Sequence, residues 1–259
     1  MTKIGILGCG GRMGRMLIQE TLARPEAELA GGVEAPGNPL IGKELDGIIV
    51  GGDADALFAI SDAVIDFTHP AALTRHLELA EKHRTALVVG TTGLDAPTLN
   101  LLAGAGKSIA IMRAANMSVG VTLLTAMVEQ LAAKLDADMF DIEITEMHHR
   151  HKIDAPSGTA LALGEAAARG RQVSLDQVAR MSRQGQVGAR PAGEIGFSTL
   201  RGGDVVGDHT VIFAADGERI EISHKASSRQ IFARGAVRAA LWLAGQKPGL
   251  YGMKDVLGL

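Results

Sequence analysis

Seven consecutive residues, Glu146-Met147-His148-His149-Arg150-His151-Lys152, hold three of the chain's eight histidines together with an arginine and a lysine. Imidazole titrates near neutrality, and lysine supplies a cation or, when desolvated, an acid. His148 and Lys152 share a face if the segment is extended and lie one turn apart if it is helical. Such a pair suits proton donation beside an anionic substrate. A solvated basic loop and a metal site of Glu146, His148, His149 and His151 are the competing readings. Ligands on one element need a common face, and adjacent His148 and His149 point apart on a strand, so no metal is expected.

Just downstream, Asp154-Ala155-Pro156-Ser157-Gly158-Thr159 leads into an alanine-rich helical stretch. Ser157 or Thr159 can serve as its N-cap, and capping alone would account for them. A helix N-terminus carrying Ser, Gly and Thr is also a ready carboxylate site. The histidine, the lysine and this helix start therefore predict a site for a small anionic substrate.

A second constellation lies at the start of the chain. Gly8-Cys9-Gly10-Gly11-Arg12-Met13-Gly14 stands between an apolar run, Lys3–Leu7, and a helical pattern, Met13–Leu22. Glycines there let backbone N–H groups approach a pyrophosphate at the helix N-terminus. The spacing departs from a strict G-x-G-x-x-G fingerprint, because position 13 is Met and the last Gly comes one residue late. Glu34 lies 20 residues beyond Gly14, at the end of the next expected strand, where an acid accepts hydrogen bonds from a ribose diol. Cys9 reads as a small packing residue, and Arg12 faces either a phosphate or solvent. Gly90-Thr91-Thr92-Gly93 and Ala114-Ala115-Asn116-Met117 follow two further strand patterns, at the ends where parallel sheets hold ligands.

These residues need a scaffold. Strand patterns at Lys3–Leu7, Glu28–Val33, Ala63–Phe67, Thr85–Val89 and Ser108–Met112 alternate with helical ones, including Pro70–His83 and Ala96–Ala103. That alternation predicts a parallel α/β sheet with helices on both faces. From about Ser118 the pattern becomes α+β: a helix over Val119–Leu135, an alternating strand over Met139–Met147, and a helix over Thr159–Arg169. A polar surface excursion follows over Arg171–Glu194, then a hairpin turning at Asp216-Gly217 and a closing helix over Gln230–Ala244.

The composition fits this scaffold. The chain has 259 residues, 46% of them hydrophobic and 21% charged, with a formal charge of −3. No apolar run reaches the ~18 residues of a membrane span, so no membrane partner is expected. The net charge argues against nucleic acid. Met1–Gly10 has no signal-peptide pattern, and Cys9 is the only cysteine, so no intramolecular disulfide forms and a cytoplasmic location is expected.

Taken together, Gly8–Gly14, Phe67-Thr68-His69-Pro70, Gly90–Gly93, Glu146–Thr159, Arg201-Gly202-Gly203-Asp204, His224–Arg229 and Leu241-Trp242-Leu243 resemble the dihydrodipicolinate reductase family nearly end to end. The resemblance implies a Rossmann-like domain of residues 1–117 plus 229–259. A second α+β domain, residues 118–228, would bind substrate and build a homotetramer. The implied activity is reduction of a cyclic unsaturated imine dicarboxylate with NADH or NADPH, on the diaminopimelate route to lysine. By the same resemblance His148 is a proton donor and acceptor and Lys152 a proton donor. His149, Ser157, Gly158 and Thr159 would hold substrate, with Arg229 a weaker candidate. Gly8, Cys9, Gly10, Gly11, Arg12, Met13, Glu34, Gly90, Thr91, Thr92, Ala114, Ala115, Asn116 and Met117 would hold the cofactor. Several members place Arg after the acid of the second strand; here Ala35 and Pro36 follow Glu34, so NADH is the expected preference and NADPH the alternative. Two other functions fit the first domain alone. An amino-acid semialdehyde dehydrogenase would need a catalytic cysteine outside the glycine loop, and a nucleotide sensor would have no use for His148 and Lys152.

Overall fold

The computed structural model describes all 259 residues. They divide into two compact units, Met1–Val119 with Gln230–Leu259, and Gly120–Arg229. The chain begins β1 (Thr2–Leu7), α1 (Arg12–Leu22), β2 (Ala27–Val33), β3 (Glu44–Leu45), β4 (Ile48–Ile49), α2 (Ala54–Ile60), β5 (Ala63–Asp66), α3 (Pro70–His83), β6 (Ala86–Val89), α4 (Ala96–Ala105) and β7 (Ala110–Arg113). It continues through α5 (Val119–Ala132), β8 (Asp141–His148), α6 (Gly158–Gly170), α7 (Leu175–Val178), β9 (Ala179–Arg180), β10 (Ile195–Arg201), β11 (Gly207–Ala215) and β12 (Glu218–Ala226). It ends with α8 (Gln230–Leu243), β13 (Gly249–Tyr251) and α9 (Met253–Leu257).

In the first unit six strands form a parallel sheet in the order β13-β7-β6-β5-β1-β2. Its central strands are buried on both faces, which is why they read as unbroken apolar runs. On one face Ile4, Ile6, Ile65 and Val88 pack with Leu17 and Ile18 of α1 and with the small residues Ala233, Ala236 and Ala240 of α8. On the other, Val64, Leu87 and Ile111 pack with Phe58 of α2, Leu73 and Leu77 of α3, and Leu102 of α4. Strand order reverses on the two sides of β1, so the crevice beyond its carboxyl end is the expected ligand position of such a sheet.

In the second unit the sheet runs β12-β11-β8-β10-β9. β8 is parallel to β10 and antiparallel to β11. The strand alternates strictly, and its buried positions are Ile142, Ile144, Glu146 and His148. The register sets Ile195, Phe197, Thr199 and Arg201 of β10 beside these four, and Phe213, Val211 and His209 of β11 beside the first three. One face of this sheet is thus apolar at one end, where it packs on Leu124, Val128, Leu163 and Ala167, and polar at the other.

Several expected boundaries move by one to three residues, as frayed ends do. Larger differences are the unexpected β3, β4, α2, β13 and α9 of the first unit, and three that concern the second. The excursion after Arg171 contains α7 and β9 and is pinned to β8: Arg190 donates to Asp141, Glu143 and the Ile142 carbonyl at 2.5, 2.9 and 3.1 Å. β10 was not expected at all, because Ile195–Arg201 has only three buried positions before it turns polar. Lys152 lies in neither a strand nor a helix; it follows a turn closed by its own N–H donating to the His149 carbonyl at 3.1 Å. No helix is long and apolar enough to cross a membrane.

Candidate active site

In the first unit, the glycine loop joins β1 to α1. Gly11 is the N-cap of α1 and offers no side-chain oxygen, and the first turn carries no acid, so the opening N–H groups of an 11-residue helix are left without a side-chain cap. A Cβ on Gly14 would overlap the Gly8 carbonyl oxygen, which is why the helix can start so close to the strand. A cavity of about 740 Å³ opens here, lined by Gly8, Gly10, Gly11, Glu34, Ala35, Asn38, Thr68 and Arg75 among others. Glu34 accepts the Gly10 N–H at 2.7 Å and the Asn38 amide at 2.9 Å. Bare glycines, a helix start and a carboxylate on one cavity fit the pyrophosphate and ribose of a dinucleotide.

The remaining expected cofactor residues are placed less uniformly. Cys9 is fully buried, and burial followed by the nearby Glu34 charge pushes its thiol up to about 11, so it packs rather than reacts. Arg12 and Thr92 are exposed, and Met13 is half-buried against the core. Gly90 stands against the Phe67 ring, which lines the cavity. Thr91 is buried and donates to the Asp66 carboxylate at 3.3 Å. Ala114 donates its N–H to Val89, Ala115 is exposed, Asn116 accepts the Ser118 N–H at 2.8 Å, and Met117 is a core residue. None of these four lines the cavity beside Glu34.

Asp66 itself was overlooked in the sequence, hidden within an apolar strand pattern. It is fully buried and accepts from the Thr68 N–H and hydroxyl at 2.8 and 2.7 Å and faces His76 Nδ1 at 2.7 Å. Burial raises its pKa, but these donors, His76 first, outweigh it and hold the carboxyl below its ordinary range.

In the second unit the polar end of the sheet gathers the other candidates. His148 is buried, with Nδ1 2.5 Å from Glu146 Oε2. Glu146 is 2% exposed and also receives both terminal nitrogens of Arg201, at 2.8 and 3.0 Å, and the Ser157 N–H at 3.0 Å. Burial raises the Glu146 pKa, but Arg201, His148 and Ser157 more than reverse this, so the carboxylate is ionised. An ionised acceptor beside Nδ1 favours a donating N–H at that nitrogen, with Nε2 on the far side of the ring. A Cβ on Gly207 would stand 2.9 Å from Nε2, so the glycine leaves room for the ring there.

Lys152 Nζ donates to Asp154 Oδ1 at 2.7 Å, which holds the Asp154 carboxyl below its usual value. Ser157 is the N-cap of α6, accepting the Ala160 N–H at 3.2 Å, and its hydroxyl is 3.1 Å from His209 Nε2. Gly158 and Thr159 form the first turn of that helix, which carries no acid. His149 donates its backbone N–H to Val205 and lies 3.4 Å from Arg229 through Nε2. Burial first and then the Arg229 charge lower its pKa. The structure thus gathers His148, Lys152, Ser157, Gly158 and Thr159 at one end of one sheet. It adds Glu146, Arg201 and His209, which the sequence presented only as a metal alternative, as part of a family motif, or not at all.

Comparison with known proteins extends over the whole chain. Residues 2–117 match the family model described as "Dihydrodipicolinate reductase, N-terminus" and residues 120–257 the one described as "Dihydrodipicolinate reductase, C-terminus". The chain is 50% identical to a 4-hydroxy-tetrahydrodipicolinate reductase of Magnetococcus marinus, over 99% of this chain and 98% of the relative. It is 52% identical to one of Dinoroseobacter shibae, with the same coverage. Its fold resembles a dipicolinate-bound dihydrodipicolinate reductase from Paenisporosarcina sp., with a TM-score of 0.78, 23% identity, and 98% and 99% of the two chains covered.

Proposed function

The chain belongs to the dihydrodipicolinate reductase family, and on that premise we propose that it reduces 4-hydroxy-tetrahydrodipicolinate to tetrahydrodipicolinate on the diaminopimelate route to lysine. A bound reduced nicotinamide would supply the hydride, and overall the conversion takes up one proton and releases the 4-hydroxyl as water. The observation that carries the reading is the buried Glu146–His148 contact at 2.5 Å beside the Ser157-capped first turn of α6.

The residues divide the work. The first-turn N–H groups at Gly158 and Thr159, with the Thr159 hydroxyl, bind a substrate carboxylate, because the positive end of a helix favours an anion. Ser157 holds that turn by capping it, and His149 supplies a further polar contact to substrate. His148 gives and takes a proton at Nε2, and the Lys152 ammonium donates one and adds a cation near the dianionic substrate. Positioned acid–base groups of this kind contribute roughly 10²–10⁴-fold to rate. In the first unit the glycine loop holds the pyrophosphate and Glu34 the ribose, with NADH preferred. Gly90 to Thr92 and Ala114 to Met117 complete the cofactor site. A cytoplasmic homotetramer assembled through residues 118–228 belongs to the same proposal, and sedimentation velocity tests its assembly.

The semialdehyde dehydrogenase reading is not favoured, since Cys9 is buried with its thiol pushed up to about 11 and no other cysteine exists. The test is loss of reduced-nicotinamide absorbance with freshly generated substrate. Substrate-dependent oxidation is expected; none with either cofactor contradicts the proposal.

A further inference from the structure

Arg201 closes β10 directly opposite His148 in the β8 ladder. Its guanidinium has four polar contacts. Nη1 donates to Glu146 Oε2 at 2.8 Å and to the Leu200 carbonyl at 2.6 Å. Nη2 donates to Glu146 Oε1 at 3.0 Å and to the Asp154 carbonyl at 2.6 Å. Two of these partners lead to proton-handling groups. Glu146 holds His148 by Nδ1, and Asp154 holds the Lys152 ammonium. The second oxygen of Glu146 also holds the Ser157 N–H, at the start of α6.

We propose that Arg201 and Glu146 are a positioning pair that fixes both proton-handling side chains, His148 and Lys152, against the carboxylate-binding turn of α6. The inference rests on the proposed roles of His148, Lys152 and α6 and adds two residues to that site.

Energetics favour positioning over stability as the reason for the pair. A buried ion pair replaced by apolar side chains of similar volume is often no less stable. Neighbouring Ile142, Ile144 and Val211 show that this sheet face accepts such residues. A planar fork reading two carboxylate oxygens and a carbonyl fixes direction in a way a lysine point charge cannot. The pair also fixes the tautomer: with Glu146 ionised by Arg201, His148 keeps Nδ1–H and presents Nε2. The charged and titratable groups on the surrounding elements are His149 and Lys152 beyond β8, Arg201 on β10, His209 and Asp208 on β11, and His224 on β12. Only Glu146 contacts the His148 ring nitrogen as an anion.

Two measurements test this. Histidine ¹⁵N spectra of the unaltered protein, assigned with His148→Gln, are expected to show neutral His148 as the Nδ1–H tautomer. A dominant Nε2–H tautomer overturns the proposal, and it is read on the protein with Glu146 and Arg201 intact. Glu146→Gln and Arg201→Lys are then compared for kcat, cofactor Kd and pH profile. The expectation is a loss of kcat of at least about tenfold in both, unchanged cofactor Kd, and an acid-ward shift of the basic group's limb in Glu146→Gln. Wild-type kcat and pH profile in either variant overturn it. An inactive wild type contradicts the proposed reaction instead, and the tautomer still decides the positioning pair.

Discussion

The Glu34 carboxylate accepts the Gly10 N–H at 2.7 Å, so the acid at the end of β2 is tied directly to the glycine loop. Asn38 holds its other oxygen at 2.9 Å. A ribose diol can bond to such a fixed carboxylate, whereas a 2′-phosphate would meet it with like charge.

The expected outcome is a higher kcat/KM with NADH than with NADPH. Ala35→Arg should move the ratio toward NADPH by about tenfold, which requires only about 1.4 kcal/mol of transition-state stabilisation. Arg75 lines the same cavity but is paired with Glu78 at 3.1 Å, and Arg12 is exposed. A wild-type preference for NADPH would contradict the account and point to one of these cations.

Thr159 stands in the first turn of α6, with Ser157 as the cap. Pyridine-2,6-dicarboxylate, a planar dicarboxylate of the product's shape, should compete with substrate. Thr159→Val should weaken that inhibition while NADH affinity stays the same. Equal inhibition constants for the two proteins would remove this turn from the site.

His209 makes stability depend on pH. It is 4% exposed, and burial, followed by repulsion from His148, lowers its pKa from 6.5 to about 4. The unfolded chain therefore binds a proton between about pH 6.5 and 4 that the fold refuses. The stabilisation is complete above the unfolded value and falls as pH drops through that window, by about 3 kcal/mol in all. His209→Asn should flatten this slope, as read from urea unfolding at pH 7 and 4.5. An unchanged slope in the variant would contradict the assignment.

Much of this was legible in local patterns. Pro70–His83 occurs as the sequence predicts, because Pro at the start and basic residues in the last turn mark both ends. The strict alternation of β8 also carried its own orientation: Ile142 and Ile144 face the core, so Glu146 and His148 face the same way. Partners distant in sequence were not legible. Arg201 lies 55 residues from Glu146 and His209 lies 52 from Ser157, and only the pairing of β8 with β10 and β11 brings them together. The relation of Lys152 to His148 was misread for a related reason. A turn, not a regular element, connects them, and its geometry depends on Asp154 and on the loop after β10.

In the proposed reaction His148 and Lys152 handle the proton. The most direct test compares steady-state kcat and cofactor Kd for the wild type, His148→Gln and Lys152→Ala with freshly generated substrate. A kcat about 10²–10⁴-fold lower is expected in His148→Gln, with cofactor Kd unchanged. Lys152→Ala should lose kcat and also bind pyridine-2,6-dicarboxylate more weakly, since it lacks a cation. Near wild-type kcat in both variants would contradict it.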